Sequence, residues 1–486
     1  MQRQLWGFYG RQQELEALES ILRRGRWFFV KITGRRRIGK TSLVQEAMRS
    51  LNREKMIYIQ IPDSDPAGVI AAARDFYEMF GINDQLPHDL RSLAKSITDL
   101  IRSGWVVAID EFQYFHRKVL FEFNSHMQYE IDRLANDASR ITGGLLVLGS
   151  IHTEMSALLE DRTAPLFNRT TDQIELPHLD IASVLEILRI HADNSPERLL
   201  FLWNLFEGVP KFYRDCYEQD VIGSNRRELL QKMFFSSSSP LRTEADNWFL
   251  RELRGRYDLV LKYVARHPGC SNSDLDAYAR SVEPEGEKQV AGYISILNER
   301  FKMIEKLLPV FSKPKARKNR FYLKDNFLRS WLASLAIPAA SVNFKPIDQI
   351  IDEADKRLME AEGHGFERLV WTLYEERSRK GLSDFPLTSR IHGFWDRAGT
   401  ELDLVALNEN DRVIRFGHCK RNPDKLVAGL KAYDGHIGRF LEAFPDYNSW
   451  RIDRIALTPI HTAASRTAVQ EQGYIPQDLN DLTRGL

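Results

Sequence analysis

Cysteine is scarce in this chain: Cys216, Cys270 and Cys419 are the three among 486 residues, too few and too scattered for a disulfide framework or a metal-finger spacing. Long apolar runs are missing as well. None approaches the roughly 20 residues a spanning helix needs, so no membrane segment is expected. The first residues, MQRQLWGFYGRQQELEALE, lack the apolar core and small-residue cleavage site of a secretory signal. With the sparse cysteines, that predicts a cytoplasmic protein. A bias of charge is also absent, since 68 basic and 67 acidic residues leave a net of +1. By itself that points to no polyanionic partner. What remains is an ordinary globular composition, 43% hydrophobic and 28% charged. Single cores rarely grow beyond roughly 250 to 300 residues, so about three or four domains are expected.

The most informative stretch runs from Gly34 to Thr41, GRRRIGKT, directly after the apolar run WFFVKIT. A glycine-rich turn between a strand and a helix lets successive backbone N–H groups, here those of Gly34, Arg35, Arg36, Arg37, Ile38 and Gly39, converge on phosphate oxygens. Lys40 then reaches the β and γ phosphates, Thr41 holds Mg²⁺, and Ser42 is a further cofactor-binding residue. ATP and Mg²⁺ are the expected cofactors. Strand-like segments WFFVKIT, KMIYIQI, WVVAID, GLLVLGS and TDQIEL alternate with helical stretches, the pattern of a parallel sheet covered on both faces. Asp110 and Glu111 end the third of these. Asp110 there orients Mg²⁺ through water and Glu111 polarises the attacking water, or the pair is an acidic strand cap. Ser150 closes the fourth strand, where it touches the γ phosphate or the lytic water, or serves a turn. Arg169, just before the fifth, is placed to meet a neighbouring subunit's nucleotide; a solvated arginine or a helix-end contact is the competing reading.

The segments FYGRQQELEAL, GRRRIGKTSL, VVAIDEFQYF, LLVLGS and PLFNRT together resemble the archaeal-type ATPases of the AAA+ and signal-transduction ATPase lineage. The resemblance implies a five-stranded P-loop core followed by a helical lid. It also places Gly10, Arg11, Glu14 and Leu15 against the adenine pocket and GVPKFYRDCY, from Gly208, near the nucleotide. Asn168 departs from the glycine that relatives carry before the arginine.

Ser236 to Pro240, SSSSP, reads as a linker. Beyond it, YDLVLKYVARHPG, SNSDLDAYAR and EKQVAGYISILNERFKMIEKL give three helical patterns, and LLPVFS and RFYLKD two short strands around a basic loop. That is a winged helix-turn-helix plan. Between Lys302 and Arg329 nine basic residues face only Glu305 and Asp325. The helix near Lys288 to Arg300 is placed for a major groove, and Lys313, Lys315, Arg317, Lys318 and Arg320 for DNA phosphates. YLKDNFLRSWLASL matches the segment that closes the winged helix in the same ATPases.

In the last part, GFERLVWTLYEERS from Gly365 reads as a helix carrying Glu367, followed by the strands GFWDRAGTELDLVAL and DRVIRFGHCK. Glu401 and Asp403 lie two apart on one strand, as do His418 and Lys420 on the next, so each pair shares a face. A helix glutamate, a strand aspartate and a lysine on the adjoining strand follow the order of the restriction-endonuclease-like fold. Carboxylates there hold a metal while the lysine activates water. His418 stands where the pattern calls for a carboxylate, which disfavours Mg²⁺ and tolerates Mn²⁺ better. A sheet-edge ion pair is the plain alternative.

The expected fold is a multidomain α/β protein: a P-loop ATPase core with parallel sheet (1–178), a helical lid (179–240), a winged helix-turn-helix (241–340) and a restriction-endonuclease-like domain (345–486). The expected function is ATP hydrolysis that controls DNA binding and a nuclease-like domain, in defence or genome maintenance. The alternative is a nucleotide-dependent switch or scaffold for a protein partner with an inactive nuclease-like domain. A homo-oligomer is left open.

Overall fold

Runs of apolar residues too continuous for a half-exposed strand build the centre of the first sheet, and more mixed runs its edges. In the computed structural model, which describes residues 4–52, 54–136, 140–150, 152–245, 256–282, 290–313 and 318–486, they form five strands: β1 (Phe28–Gly34), β2 (Met56–Gln60), β3 (Val106–Asp110), β4 (Gly144–Gly149) and β5 (Asp172–Leu176). All are parallel, in the order β2-β3-β4-β1-β5. Each expected strand of the core is present. β3 and β4 are buried throughout, and one face packs Ile57, Val107, Ile109 and Leu145 with Leu93, Ile97, Met127 and Ile131 from the covering helices. This compact unit comprises Gly7–Leu179 and Val209–Lys211.

The second unit holds Asp180–Gly208 and Phe212–Leu486, with Met1–Trp6. It begins with the helical lid, whose helices Ile181–His191, Pro196–Phe206 and Arg226–Leu230 start on side-chain caps from Asp180, Ser195 and Asn225. Ser236–Pro240 comes next as a tight turn: the Ser236 N–H donates to Gln231 O at 2.9 Å and to Ser239 Oγ at 2.9 Å. Helices Arg256–Arg266, Asn272–Val282 and Ala291–Glu299 precede an antiparallel hairpin of β6 (Ile304–Leu307) and β7 (Arg320–Leu323). Three helices and a hairpin are the winged-helix plan, with two boundaries moved. The third helix was expected to continue through MIEKL, yet it stops at Glu299, Lys302 turns the chain at φ 56°, and IEKL becomes the first strand. LLPVFS was expected as that strand. Pro309 cannot donate to a ladder, and after it the Val310 N–H bonds to Gly393 O at 3.0 Å.

The helix expected from Gly365 is the second half of a 33-residue helix, Ile347–Arg379. Gly365 does not break it because the helix packs too closely there for a side chain: a Cβ would stand 2.0 Å from Asn204 Oδ1. The segment expected as one strand, GFWDRAGTELDLVAL, is a hairpin of β8 (His392–Trp395) and β9 (Glu401–Asn408). Asp396 folds it, its Oδ1 accepting the N–H groups of Ala398 and Thr400 at 2.8 and 2.9 Å. With β10 (Val413–Cys419), β11 (Arg451–Leu457) and β12 (Ile475–Gln477) they form a mixed sheet in chain order: β8, β9 and β10 antiparallel, then β10, β11 and β12 parallel. The helix Pro423–Ala443 covers it, burying Leu426, Leu430, Tyr433, Ile437 and Phe440.

Candidate active site

The loop after β1 is shaped by residues that only certain backbones allow. Gly34 has φ 152°, and a Cβ there would lie 2.8 Å from Leu176 O; Gly39, at φ 96°, opens the helix Lys40–Leu51. Arg37 also takes a positive φ of 67°. Arg11 supports the loop from below, donating from Nη2 to Ile38 O at 3.4 Å and pairing through Nη1 with Glu14 at 3.6 Å, while Gly10 supplies the left-handed turn before it. Arg36 and Ser42 are exposed. Lys40 Nζ donates to the carbonyls of Gly34 and Arg35 at 3.0 and 3.2 Å. Burial lowers its pKa to about 8, against the opposing pull of the Asp110 and Glu111 carboxylates.

At the end of β3, Asp110 Oδ2 accepts the Thr41 hydroxyl at 2.7 Å and the Tyr58 hydroxyl at 2.5 Å, and Oδ1 accepts the Glu111 N–H at 2.7 Å. The oxygen donors of Thr41 and Asp110 suit a hard divalent cation, and an ammonium over the loop suits the phosphates beside it. These residues fit Mg-ATP. Glu111 sits in the left-handed region at φ 55°, a conformation that in a residue of this kind clusters at functional sites. Its Oε2 accepts from Gln113 Nε2, and from Ser150 Oγ at 3.4 Å. Gln113 Nε2 also lies 3.4 Å from Ser150 Oγ. Tyr58 and Gln113 escaped the sequence reading. Their only signals were a hydroxyl one strand over from the acid, in register with Ala108, and an amide two places beyond the glutamate.

Arg169 forms a two-pronged pair with Asp132, at 2.8 and 2.9 Å, and donates to Phe167 O at 3.0 Å. Asn168 before it has φ 58°. Asparagine is among the residues that best tolerate that region without being glycine.

In the second unit, Asp403 gathers a cluster on one oxygen: Oδ2 accepts from His418 Nδ1 at 3.0 Å, the Cys419 N–H at 2.9 Å and Lys420 Nζ at 3.5 Å. Burial works to raise Asp403's pKa, yet the His418 bond and the Lys420 charge outweigh it and hold it below the ordinary value. Burial, with the Asp403 carboxylate beside it, pushes Glu367 well above the ordinary range. The His418 ring stacks on Tyr433 with centroids 4.4 Å apart, and its Nε2 faces Gly429, where a Cβ would come within 2.9 Å. Glu401 turns elsewhere, to Arg320 Nη1 at 2.5 Å. Of the five residues read from the sequence, the structure thus brings Glu367, Asp403, His418 and Lys420 together and leaves Glu401 to the wing. Among the described residues, no group of three or more His, Cys, Asp or Glu side chains is arranged to hold a metal ion.

The hairpin loop carries Lys313 and Lys318; Lys315 and Arg317, like Lys288 before the third helix, lie outside the described residues. Arg320 is committed, ion-paired to Glu401 and 4.6 Å over the Trp395 ring. Trp395 Nε1 in turn donates to Lys318 O at 2.9 Å.

Residues 8–211 match a family described as an ATPase domain predominantly from Archaea. This part of the chain is an ATP-hydrolysing P-loop domain. Residues 331–428 match a family of archaeal and bacterial proteins of unknown function. The uncharacterized protein MJECL04 of Methanocaldococcus jannaschii is 23% identical over 435 residues, 85% of this chain and 87% of that protein. Among solved structures, the Walker-type ATPase PABY2304 of Pyrococcus abyssi is similar over 67% of this chain and 96% of its own, with a TM-score of 0.51 at 18% identity, and shares the fold of the P-loop ATPase. The ORC2 protein of Aeropyrum pernix covers 72% of this chain and 94% of its own at a TM-score of 0.45 and 15% identity, too distant a likeness to carry weight. No helix among the described residues is long and apolar enough to cross a membrane.

Proposed function

We propose that this ATPase uses its nucleotide state to govern a DNA-binding winged-helix region, and that its C-terminal domain has a restriction-endonuclease-like fold that binds rather than cuts. The observation that carries the reading is the constellation beside the P-loop lysine, in which Asp110 holds Thr41 and Glu111 is turned toward Ser150 and Gln113. Thr41 and Asp110 hold Mg²⁺, Glu111 polarises the attacking water, and Ser150 and Gln113 fix its carboxylate. Arg169 serves a neighbouring subunit only after leaving Asp132. The proposed divisions remain 1–178, 179–240, 241–340 and 345–486.

Charge supports the DNA limb: of the nine basic residues between Lys302 and Arg329, Arg329 is buried and Arg320 is paired with Glu401, which leaves seven, and phosphate contact needs little else. For the C-terminal fold, support comes from the helix bearing Glu367, the strand bearing Asp403 and the adjoining strand leading into Lys420. Against cleavage stands the engagement of Asp403 Oδ2 by three donors of its own chain. That same engagement favours a second reading, a scaffold for a protein partner.

Lys40→Ala should abolish ATP turnover, and Glu111→Gln should retain nucleotide while stopping hydrolysis; normal turnover in both would overturn the assignment. DNA affinity measured by anisotropy should fall steeply with salt and drop in a Lys313, Lys315, Lys318 triple alanine variant. No affinity at any salt would leave the scaffold. Neither Mg²⁺ nor Mn²⁺ should support DNA cleavage.

A further inference from the structure

A cavity of about 750 Å³ opens within the second unit, between the end of the helix Arg256–Arg266, residues 329–337, and the middle of the helix Ile347–Arg379. Its size is that of a small-molecule pocket. Arg266, Arg329, Lys356 and Arg357 line it, against Glu353 and Glu360. Glu353 is already taken, accepting from Arg357 Nη2 at 2.7 Å and Lys345 Nζ at 3.3 Å, so the wall keeps a positive balance. Two polar atoms of residues on that wall, Arg329 Nε and Ser334 Oγ, are buried with no hydrogen-bond partner among the described residues. Buried polar groups are nearly always satisfied. Neither atom is reached by solvent, so the contacts to an anion fall to the exposed Arg266 and Lys356. The remaining wall, with Ala265, Pro268, Ala333 and Ile337, is apolar.

We propose that this cavity binds a small organic molecule bearing a phosphate group. The phosphate meets Arg266 and Lys356, both at the exposed rim, and the organic part lies on the apolar wall. The position gives the ligand reach. His364 also lines the cavity, stacks on Tyr322 of β7 with centroids 5.1 Å apart, and brings Nδ1 to 3.6 Å from Glu367 Oε2. An occupant would therefore touch the residue that joins the wing to the Asp403 cluster.

The test is calorimetry on the full chain carrying Lys40→Ala, which removes the P-loop lysine as a competing phosphate binder, with phenyl phosphate as probe and phenol as its uncharged control. One site is expected, with phenol at least about tenfold weaker, since each charge-assisted contact is worth about tenfold or more. Adding Arg266→Ala and Lys356→Ala should weaken phenyl phosphate by at least about tenfold without moving the melting temperature. The proposal is overturned if phenyl phosphate does not bind, if phenol binds as well, or if the rim variant binds unchanged.

Discussion

At the scale of single residues, burial has set two protons in opposite ways. Lys40 ionises at about 8 because its ammonium is desolvated, and only the charged form attracts a phosphate. ATP affinity of the nucleotide-free enzyme should therefore fall as pH rises through about 8, while Lys40→Arg, charged throughout, should bind with a flat profile; equilibrium titrations from pH 7 to 9.5 check this. Glu367 is displaced upward. The folded state keeps a proton that the unfolded chain has released above its ordinary value, so stability declines as pH rises from about 4.5 through the folded value. Asp403, displaced downward, contributes stability that is lost only at more acidic pH. Glu367→Gln, which has no proton to lose, should flatten the melting curve against pH and raise the melting temperature at pH 8. If added Mg²⁺ raised the native melting temperature and not that of Glu367→Gln, the cluster would be a metal site after all.

At the scale of elements, what could be read ahead was what continuous local pattern specifies. β1, β3 and β4 were legible as apolar runs because a strand buried on both faces needs nothing else, β5 was legible as the half-buried alternation DQIEL, and the P-loop was legible because φ at Gly34 and Gly39 demands glycine. The wing was legible in kind and misplaced in register, because MIEKL extends a helical period and only the positive φ at Lys302 and the pairing of Ile304 with Leu323 turn it into a strand. In the candidate sites, chain order pointed to Asp403 and Lys420, yet nothing local says that Glu401 prefers Arg320 or that Tyr58 and Gln113 reach across strands. The docked wing carries its own test. Trp395 is buried and receives the Arg320 guanidinium, so Trp395→Ala should cost about 3 to 5 kcal/mol. The partly exposed Arg320 and Glu401 pair should couple by about 1 kcal/mol or less in a double-mutant cycle. Denaturant unfolding of the native chain, Trp395→Ala and the three cycle variants measures both.

At the scale of the whole molecule, the lid is tied to two later segments of the chain. Asn204, on the lid helix Pro196–Phe206, accepts from Arg329 Nη2 at 2.6 Å, and Gly365 of the long helix leaves the space in which they meet. Ser330 Oγ donates to Asn204 O at 2.9 Å and Asn326 Nδ2 to Trp203 O at 3.0 Å. Lid, the segment after the wing, and the long helix thus share one buried polar junction, and Arg329 within it is 4% exposed. A guanidinium so placed needs its partner: losing a hydrogen bond to a charged group typically costs about 1.5 to 3 kcal/mol. Asn204→Ala should therefore destabilise the second unit by that order, and Asn204→Asp, which offers Arg329 a carboxylate, should recover most of it. The functional consequence separates a coupling element from mere packing. If lid movement reaches the proposed DNA-binding region through this junction, the ratio of DNA affinities with and without ATP should collapse toward one in Asn204→Ala and return in Asn204→Asp, while ATP affinity stays constant in both. A ratio unchanged in the alanine variant, measured below its melting temperature, would show that nucleotide state travels by another route.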